Sequence, residues 1–253
     1  MQIFLNLNGQ QQGPYTAEDI EAWLAEEQLA PDTPAWHEGL PGWIPVAELV
    51  EAPTGVEAGE VLLHVEHQDE YSRGKLAART FLGLIYIDLP HGLCLLLLGA
   101  GCALLWPVVW VAVLVTGRHP ERLFQFTHGV LQWLARWAAS GANLVDGFPA
   151  FGLGNRGAKV DFAVEPVETV SRSHAALRLL AVVYVVVPHG VCLWFRGLTS
   201  GVLAVIMFWV VLSTGRYPRA AHDFNVGTLR WALRMLAYVG MLTDRYPRFS
   251  GKG

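Results

Sequence analysis

Residues 81–98 read Phe-Leu-Gly-Leu-Ile-Tyr-Ile-Asp-Leu-Pro-His-Gly-Leu-Cys-Leu-Leu-Leu-Leu, and residues 177–195 read Leu-Arg-Leu-Leu-Ala-Val-Val-Tyr-Val-Val-Val-Pro-His-Gly-Val-Cys-Leu-Trp-Phe. Both runs are almost free of charge and long enough to cross ~30 Å of hydrocarbon, which takes ~20 residues. A shorter apolar run follows each, over residues 102–115 and 202–213, after breaks at Gly99-Ala100-Gly101 and around Arg196-Gly197. The pattern predicts two helical hairpins and hence four spans, the second of each pair marginal in length. A buried soluble core is the rival reading, and four segments in register with almost no charge argue against it.

Working outward, the two halves are copies. Pro90-His91-Gly92 recurs as Pro188-His189-Gly190, and Thr116-Gly117-Arg118 as Thr214-Gly215-Arg216, each at a shift of 98 residues. The same shift pairs Trp133 with Trp231, Arg136 with Arg234, Asp146 with Asp244 and Phe151 with Phe249; upstream, Ser72-Arg73 matches Ser171-Arg172 at a shift of 99. This is a tandem duplication. Each copy has a short strand-like lead, the apolar pair and an amphipathic stretch. In the second copy Phe224, Leu229, Leu233, Leu236 and Val239 are placed to face lipid while Arg230 and Arg234 face headgroups, which predicts a helix lying in the interface. The predicted units are residues 1–50, a linker over 51–60, and membrane repeats over 61–153 and 154–253. The fold class is a small α+β N-terminal domain plus an all-α membrane region.

Charge divides the chain in the same place. Residues 1–60 carry eleven acids and no Lys or Arg, whereas residues 61–253 carry eighteen bases and eleven acids. An acidic domain is repelled by nucleic acid and anionic lipid, so no nucleic-acid partner is expected. Arg73, Lys75, Arg79, Arg118, Arg122, Arg172, Arg178, Arg216 and Arg219 flank the apolar runs, which places both termini in the cytoplasm. Met1-Gln2-Ile3-Phe4-Leu5-Asn6 lacks the basic and apolar regions of a cleavable signal. Cys94, Cys102 and Cys192 lie in apolar runs and read as packing residues.

In the first fifty residues Ile3, Leu5 and Leu7 alternate as in a strand, Asn8-Gly9 is a turn signal, and Thr16 with Asp19 resembles a capping box. Ile20, Trp23 and Leu24 follow at helical spacing. Gly13-Pro14-Tyr15, Ile20, Trp23 and the closing Trp36-His37-Glu38-Gly39-Leu40-Pro41-Gly42-Trp43-Ile44-Pro45 resemble a bacterial GYF-type domain. The Gly-Tyr-Phe signature itself is replaced after Trp23 by Leu24-Ala25-Glu26-Glu27-Gln28-Leu29. The resemblance implies recognition of a proline-rich peptide on an aromatic cradle, with Phe4, Tyr15 and Trp23 at its positions. Equally open is that these aromatics only fill the core of a small domain. Residues 173–250 look like a bacterial membrane family of unknown function, carried by Thr214-Gly215-Arg216-Tyr217-Pro218 and Leu242-Thr243-Asp244-Arg245-Tyr246-Pro247-Arg248-Phe249, with the first repeat a diverged copy.

Two further sets of residues are candidates. His91 and His189 sit in apolar runs after a proline. They either satisfy carbonyls freed by that proline or approach each other as a metal, haem or proton site. Arg118 and Arg216 belong to helix exits, with Gly as C-cap, and are placed to hold lipid phosphates. No phosphate loop, nucleophile elbow or soluble metal cluster is present, so neither an enzyme nor a cofactor is expected. The functional expectation is a multi-pass protein of a bacterial inner membrane. It would present a peptide-binding domain to a cytoplasmic protein with a proline-rich motif, with membrane lipids, a second copy in a homo-oligomer or a larger membrane complex as its other partners. The alternatives are a small transporter-like unit, a lipid- or cofactor-handling unit, and a structural subunit.

Overall fold

The computed structural model describes residues 3–7, 10–16, 19–20, 23–24, 28–37, 42–46, 58–154, 159–167 and 169–252. The chain forms two compact units, Met1–Glu57 and Ala58–Gly253. Most of the 51–60 linker and the Asn8-Gly9 turn lie outside the described residues.

The first unit is a sheet of β1 (Ile3–Leu7), β2 (Gln10–Tyr15), β3 (Pro34–His37) and β4 (Ile44–Pro45), in the order β2-β1-β3-β4. Strand alternation sends Ile3 and Leu5 into a core with Ile20, Leu29, Ala35 and Val46, and sends Phe4 to the other face. Thr16 and Asp19 form the expected reciprocal cap. The Asp19 N–H donates to Thr16 Oγ1 at 3.2 Å, and the Thr16 N–H donates to Asp19 Oδ2 at 3.0 Å. The Thr16 hydroxyl, which also donates to Asp19 Oδ2 at 2.6 Å, and the Thr16 N–H together hold the Asp19 carboxyl below its ordinary value.

The second unit departs from the hairpin expectation. Helix α1 (Arg73–Gly83), a π-helical turn over Leu84–Asp88 and α2 (Leu89–Thr116) form one continuous helix of 44 residues, Arg73–Thr116. The second repeat begins with α4 (Arg172–Leu177) and a 3₁₀ turn (Arg178–Leu180), and continues through a π-helical turn (Val182–Val186) into α5 (Val187–Thr214). Gly99-Ala100-Gly101 is helical throughout, because a glycine costs a helix only ~1 kcal/mol relative to alanine and supplies no turn of its own. Nor is Arg196 at a tip: its Nε donates to Thr228 Oγ1 at 2.7 Å and its Nη2 to the Phe224 carbonyl at 3.1 Å. The four predicted spans are therefore two helices long and apolar enough to cross a membrane. The π-helical turns sit just ahead of Pro90 and Pro188, where a ring without an N–H would otherwise collide with the preceding turn.

Against the long helices pack α3 (Glu121–Gly141) and α6 (Arg219–Val239), which are not surface helices. Leu131, Ala135, Ala139, Val226, Leu233 and Ala237 fill one core. Arg230 donates to the Gly251 and Leu63 carbonyls at 2.9 and 3.0 Å, and Arg234 to the Lys252 carbonyl at 2.7 Å. The predicted headgroup contacts are thus bonds to the chain itself; of the leucines opposite, Leu229 and Leu233 pack in a core, while Leu236 is 37% exposed.

The region is also not all-α. Strands β5 (Val61–Val65) and β6 (Val160–Val164) pair as an antiparallel ribbon over the central helices. Leu63 pairs with Phe162, its own counterpart at the shift of 99, while Val61 pairs with Val164 and Val65 with Val160. An approximate two-fold axis therefore passes through the Leu63–Phe162 pair, normal to the ribbon. The symmetry extends to the helix ends. The Tyr71 N–H donates to the Gly215 carbonyl and the Val170 N–H to the Gly117 carbonyl, both at 2.8 Å. Arg73 reaches the Ser213 carbonyl at 3.0 Å and Arg172 the Val115 carbonyl at 3.1 Å. Each long helix thus begins where the other ends. The layers run long helices, central helices, ribbon.

Candidate functional site

In the first unit Tyr15 and Trp23 meet edge to face, ring centres 5.0 Å apart, half-buried at the margin of the core. Phe4 does not join them. It pairs across the strands with Trp36 at 6.0 Å, on the opposite face of the sheet. The three residues named from sequence are therefore divided between two aromatic pairs, and Trp36 is the partner that sequence reasoning left out. Register explains the omission: Trp36 faces Phe4 only because β3 adds to β1 antiparallel, and nothing local encodes that pairing.

The histidines are locked inside their own repeats. His91 and His189 are both 0% exposed. The Trp133 indole donates to His91 Nδ1, and that of Trp231 to His189 Nδ1, each at 2.8 Å. An indole N–H only donates, so Nδ1 is the acceptor and the imidazole is the neutral tautomer with its proton on Nε2. Phe151 stacks on His91 and Phe249 on His189, both with ring centres 3.8 Å apart. Neither sequence alternative describes this: the partner is a tryptophan, and each histidine bonds within its own repeat. Among the described residues, no group of three or more His, Cys, Asp or Glu is arranged to hold a metal ion.

A second lock sits nearer the helix starts. Arg79 Nη2 lies 2.8 Å from Asp146 Oδ1 and Arg178 Nη2 lies 2.9 Å from Asp244 Oδ1. The same carboxylates accept the backbone N–H groups of Ser72 and Ser171, at 2.5 and 2.7 Å, satisfying the open start of each long helix. Arg79 and Arg178, read above as membrane-flanking charges, are buried ion-pair partners.

Residues 4–51 match the family described as GYF domain 2, and residues 78–151 and 172–251 each match a domain of unknown function, DUF4389. The two DUF4389 segments together make up more than half of the chain. The chain belongs to the DUF4389 family. No curated protein and no solved structure matches it.

The two DUF4389 copies share the histidine and arginine locks but differ around them. In the first, Asp88 accepts from the Trp137 indole at 3.0 Å. In the second, those positions are Val186 and Met235, so donor and acceptor are lost together. The second copy instead links the Tyr184 and Tyr238 hydroxyls at 3.1 Å. Both copies end their long helix alike. Gly117 and Gly215 take φ of 71° and 74°, and their N–H groups return to Val113 and Val211. The side chains of Arg118 and Arg216 lie exposed beyond these caps.

Proposed function

We propose that this chain is a non-enzymatic adaptor. Its GYF-type unit takes a proline-rich peptide of a cytoplasmic protein, and its DUF4389 pair holds that unit at the cytoplasmic face of a bacterial inner membrane. The observation that carries the first half is the GYF match together with the half-buried Tyr15–Trp23 pair, a surface on which a preformed polyproline helix can lie. For the second half, the most apolar windows of the two long helices are only 6% and 11% buried, unlike core helices of a soluble protein. Phe81, Leu84, Leu97, Leu104, Val183 and Trp209 stand exposed along them. An apolar surface of that extent marks a membrane or partner contact.

The layering supports attachment to one leaflet over passage across both. Each long helix is tied at both ends into the same body. The ribbon lies over the middle of the central helices, with Gln132 bonded to Phe162 and Arg230 to Leu63. It turns His64 and Asp161 outward, exposed. If the long helices stood upright in the bilayer, that two-stranded ribbon would sit in hydrocarbon with open edges and a charged face, each costing several kcal/mol. With the helices lying in the plane, the ribbon faces water and the exposed basic residues Lys75, Arg118, Arg122, Arg216 and Arg219 gather at one membrane surface. No catalytic role is assigned, since the chain carries no phosphate loop or nucleophile elbow.

The test is titration of the full chain, in mild detergent, with an immobilised proline-rich peptide library and scrambled controls. Trp23→Ala should weaken the selected peptide about tenfold, as for an interface anchor, while Trp36→Ala on the opposite face leaves it unchanged. Equal binding by Trp23→Ala, or selection of no proline-rich peptide by the folded chain, would overturn the adaptor reading.

A further inference from the structure

The loop that closes each repeat packs against the lead of one ribbon strand, and the two junctions are not alike. In the first copy the central-helix residue Arg136 spends Nη1 on the Gly154 carbonyl at 2.8 Å and Nη2 on the Gly152 carbonyl at 2.6 Å. Its counterpart Arg234 donates only Nη1, to the Lys252 carbonyl at 2.7 Å; among the described residues its side chain makes no other hydrogen bond and no ion pair. Arg234 is nonetheless only 8% exposed. Its Nε and Nη2 are not sealed off from the surface, unlike Nε and Nη1 of Arg178. A buried guanidinium whose donors lack acceptors but can be reached calls for an outside partner.

Arg234 lines a cavity of about 40 Å³ at the second junction, with room for about three water molecules. Arg245 and Arg248 of the closing loop line it too, as does Glu60 just ahead of β5. Arg245 fastens the loop through Nε to the Ala58 carbonyl at 2.9 Å, while Arg248 is exposed and makes no hydrogen bond among the described residues. Glu60 forms no ion pair among them either, so its carboxylate is not locked to any of the three guanidiniums. Burial holds Arg234 below its ordinary value, and the like charges of Arg230 and Arg248 lower it further, with Glu60 opposing them. The first copy closes the same junction without this cluster. Gly147 and Ala150 stand for Arg245 and Arg248, both Nη atoms of Arg136 are spent, and Lys159 takes the place of Glu60. The fold is therefore made without the two extra arginines, and their gathering around a third, under-bonded one serves a ligand.

We propose that this cavity binds a phosphate monoester, its oxygens accepting from Arg234 Nε and Nη2 and from the guanidiniums of Arg245 and Arg248. Three guanidiniums less one carboxylate leave two positive charges on the wall. A phosphate monoester brings about −1.5 to −2 at neutral pH, whereas a carboxylate or a phosphodiester brings half of that. Guanidinium forks also match the geometry of phosphate oxygens. A soluble phosphate compound and the headgroup of phosphatidic acid both offer this group. The site stands whether or not the long helices meet a membrane.

The full chain in mild detergent is titrated calorimetrically near neutral pH with inorganic phosphate, a short-chain phosphatidic acid and the matching phosphatidylglycerol. Phosphate and phosphatidic acid should saturate at one per chain, and the diester should bind about tenfold more weakly than phosphatidic acid, the size of one lost hydrogen bond to a charged group. Arg248→Ala removes an exposed side chain and should weaken both monoesters about tenfold for the same reason, with thermal unfolding unchanged. Glu60→Gln takes the opposing carboxylate off the wall and should tighten both about threefold, a gain that structural damage would not produce. Lys159→Ala, at the first copy's cavity, should leave both affinities as they are. Phosphatidic acid binding more than about tenfold tighter than inorganic phosphate assigns the site to a lipid headgroup, and comparable affinities assign it to a soluble ligand; either result supports the site. Absence of saturable binding by both monoesters, or equal affinities in the unaltered chain, Arg248→Ala and Glu60→Gln, overturns it.

Discussion

Asp146 shows what a single side chain does here. It neutralises Arg79, closes the first turn of the long helix through the Ser72 N–H, and lies with side chain 7% exposed against an arginine 4% exposed. Removing one partner of a buried pair leaves the other charge without compensation, which costs about 3–5 kcal/mol. Asp146→Ala should therefore lower the thermal unfolding midpoint of the full chain in detergent steeply. Asp244→Ala should lower it less, because the Asp244 side chain is 19% exposed and water replaces part of what is lost. Equal, small effects would show that the pairs do not hold the repeats. Sequence made both aspartates conspicuous by repetition, yet it assigned Arg79 and Arg178 to a membrane surface. Periodicity locates a charge along a chain; only packing decides whether a carboxylate from a distant loop has reached it.

At the scale of elements, the long helices and the central helices depart from expectation for opposite reasons. Glycine pairs within a leucine-rich run resemble a turn, but a turn in an apolar setting leaves carbonyls unsatisfied, and the helix that continues satisfies them all. In α3 and α6, arginines alternating with leucines resemble an interfacial helix until the ribbon and the repeat tails arrive to accept their hydrogen bonds. Gly227 shows how close that approach is: a Cβ there would stand 2.9 Å from the Gly251 carbonyl oxygen. Burial of these helices has a consequence in pH. His119, beside the start of α3, His128 within it and His222 on α6 are all held below their ordinary value, chiefly by desolvation. Groups kept neutral by the fold contribute stability above the unfolded value of 6.5 and lose it as pH falls, when the unfolded chain takes up protons more readily. Stability of the full chain in detergent should therefore fall between pH 7 and 5, and His128→Gln should flatten that slope. A slope unchanged in the variant would remove His128 from the account.

For the whole molecule, the question is which side of the membrane each helix end occupies. Gly74 and Ser173 are exposed near the starts of the two long helices, at opposite ends of the body. In a cysteine-free background, Gly74→Cys and Ser173→Cys should both react with an impermeant maleimide in inside-out vesicles, and neither in intact spheroplasts. Labelling from opposite sides would mean that the helices cross, and the one-leaflet reading would fail. Sequence by itself determined the duplication, the acidic unit ahead of it, the two DUF4389 copies and the apolar stretches, because each is written in local composition or in a fixed shift along the chain. It also determined the capping box of Thr16 and Asp19, whose partners are three residues apart. Only the tertiary structure decided that each apolar stretch is a single helix, that Phe4 pairs with Trp36, that the histidines bond to tryptophans, and that β5 and β6 join across the two-fold axis. Apart from the helices, whose own bonds are local, those outcomes depend on hydrogen bonds between residues about forty to a hundred positions apart, and for Phe4 on strand pairing at about thirty. Such bonds form only when folding brings a donor and an acceptor into one dry space, where leaving either unpaired costs more than the chain can spare.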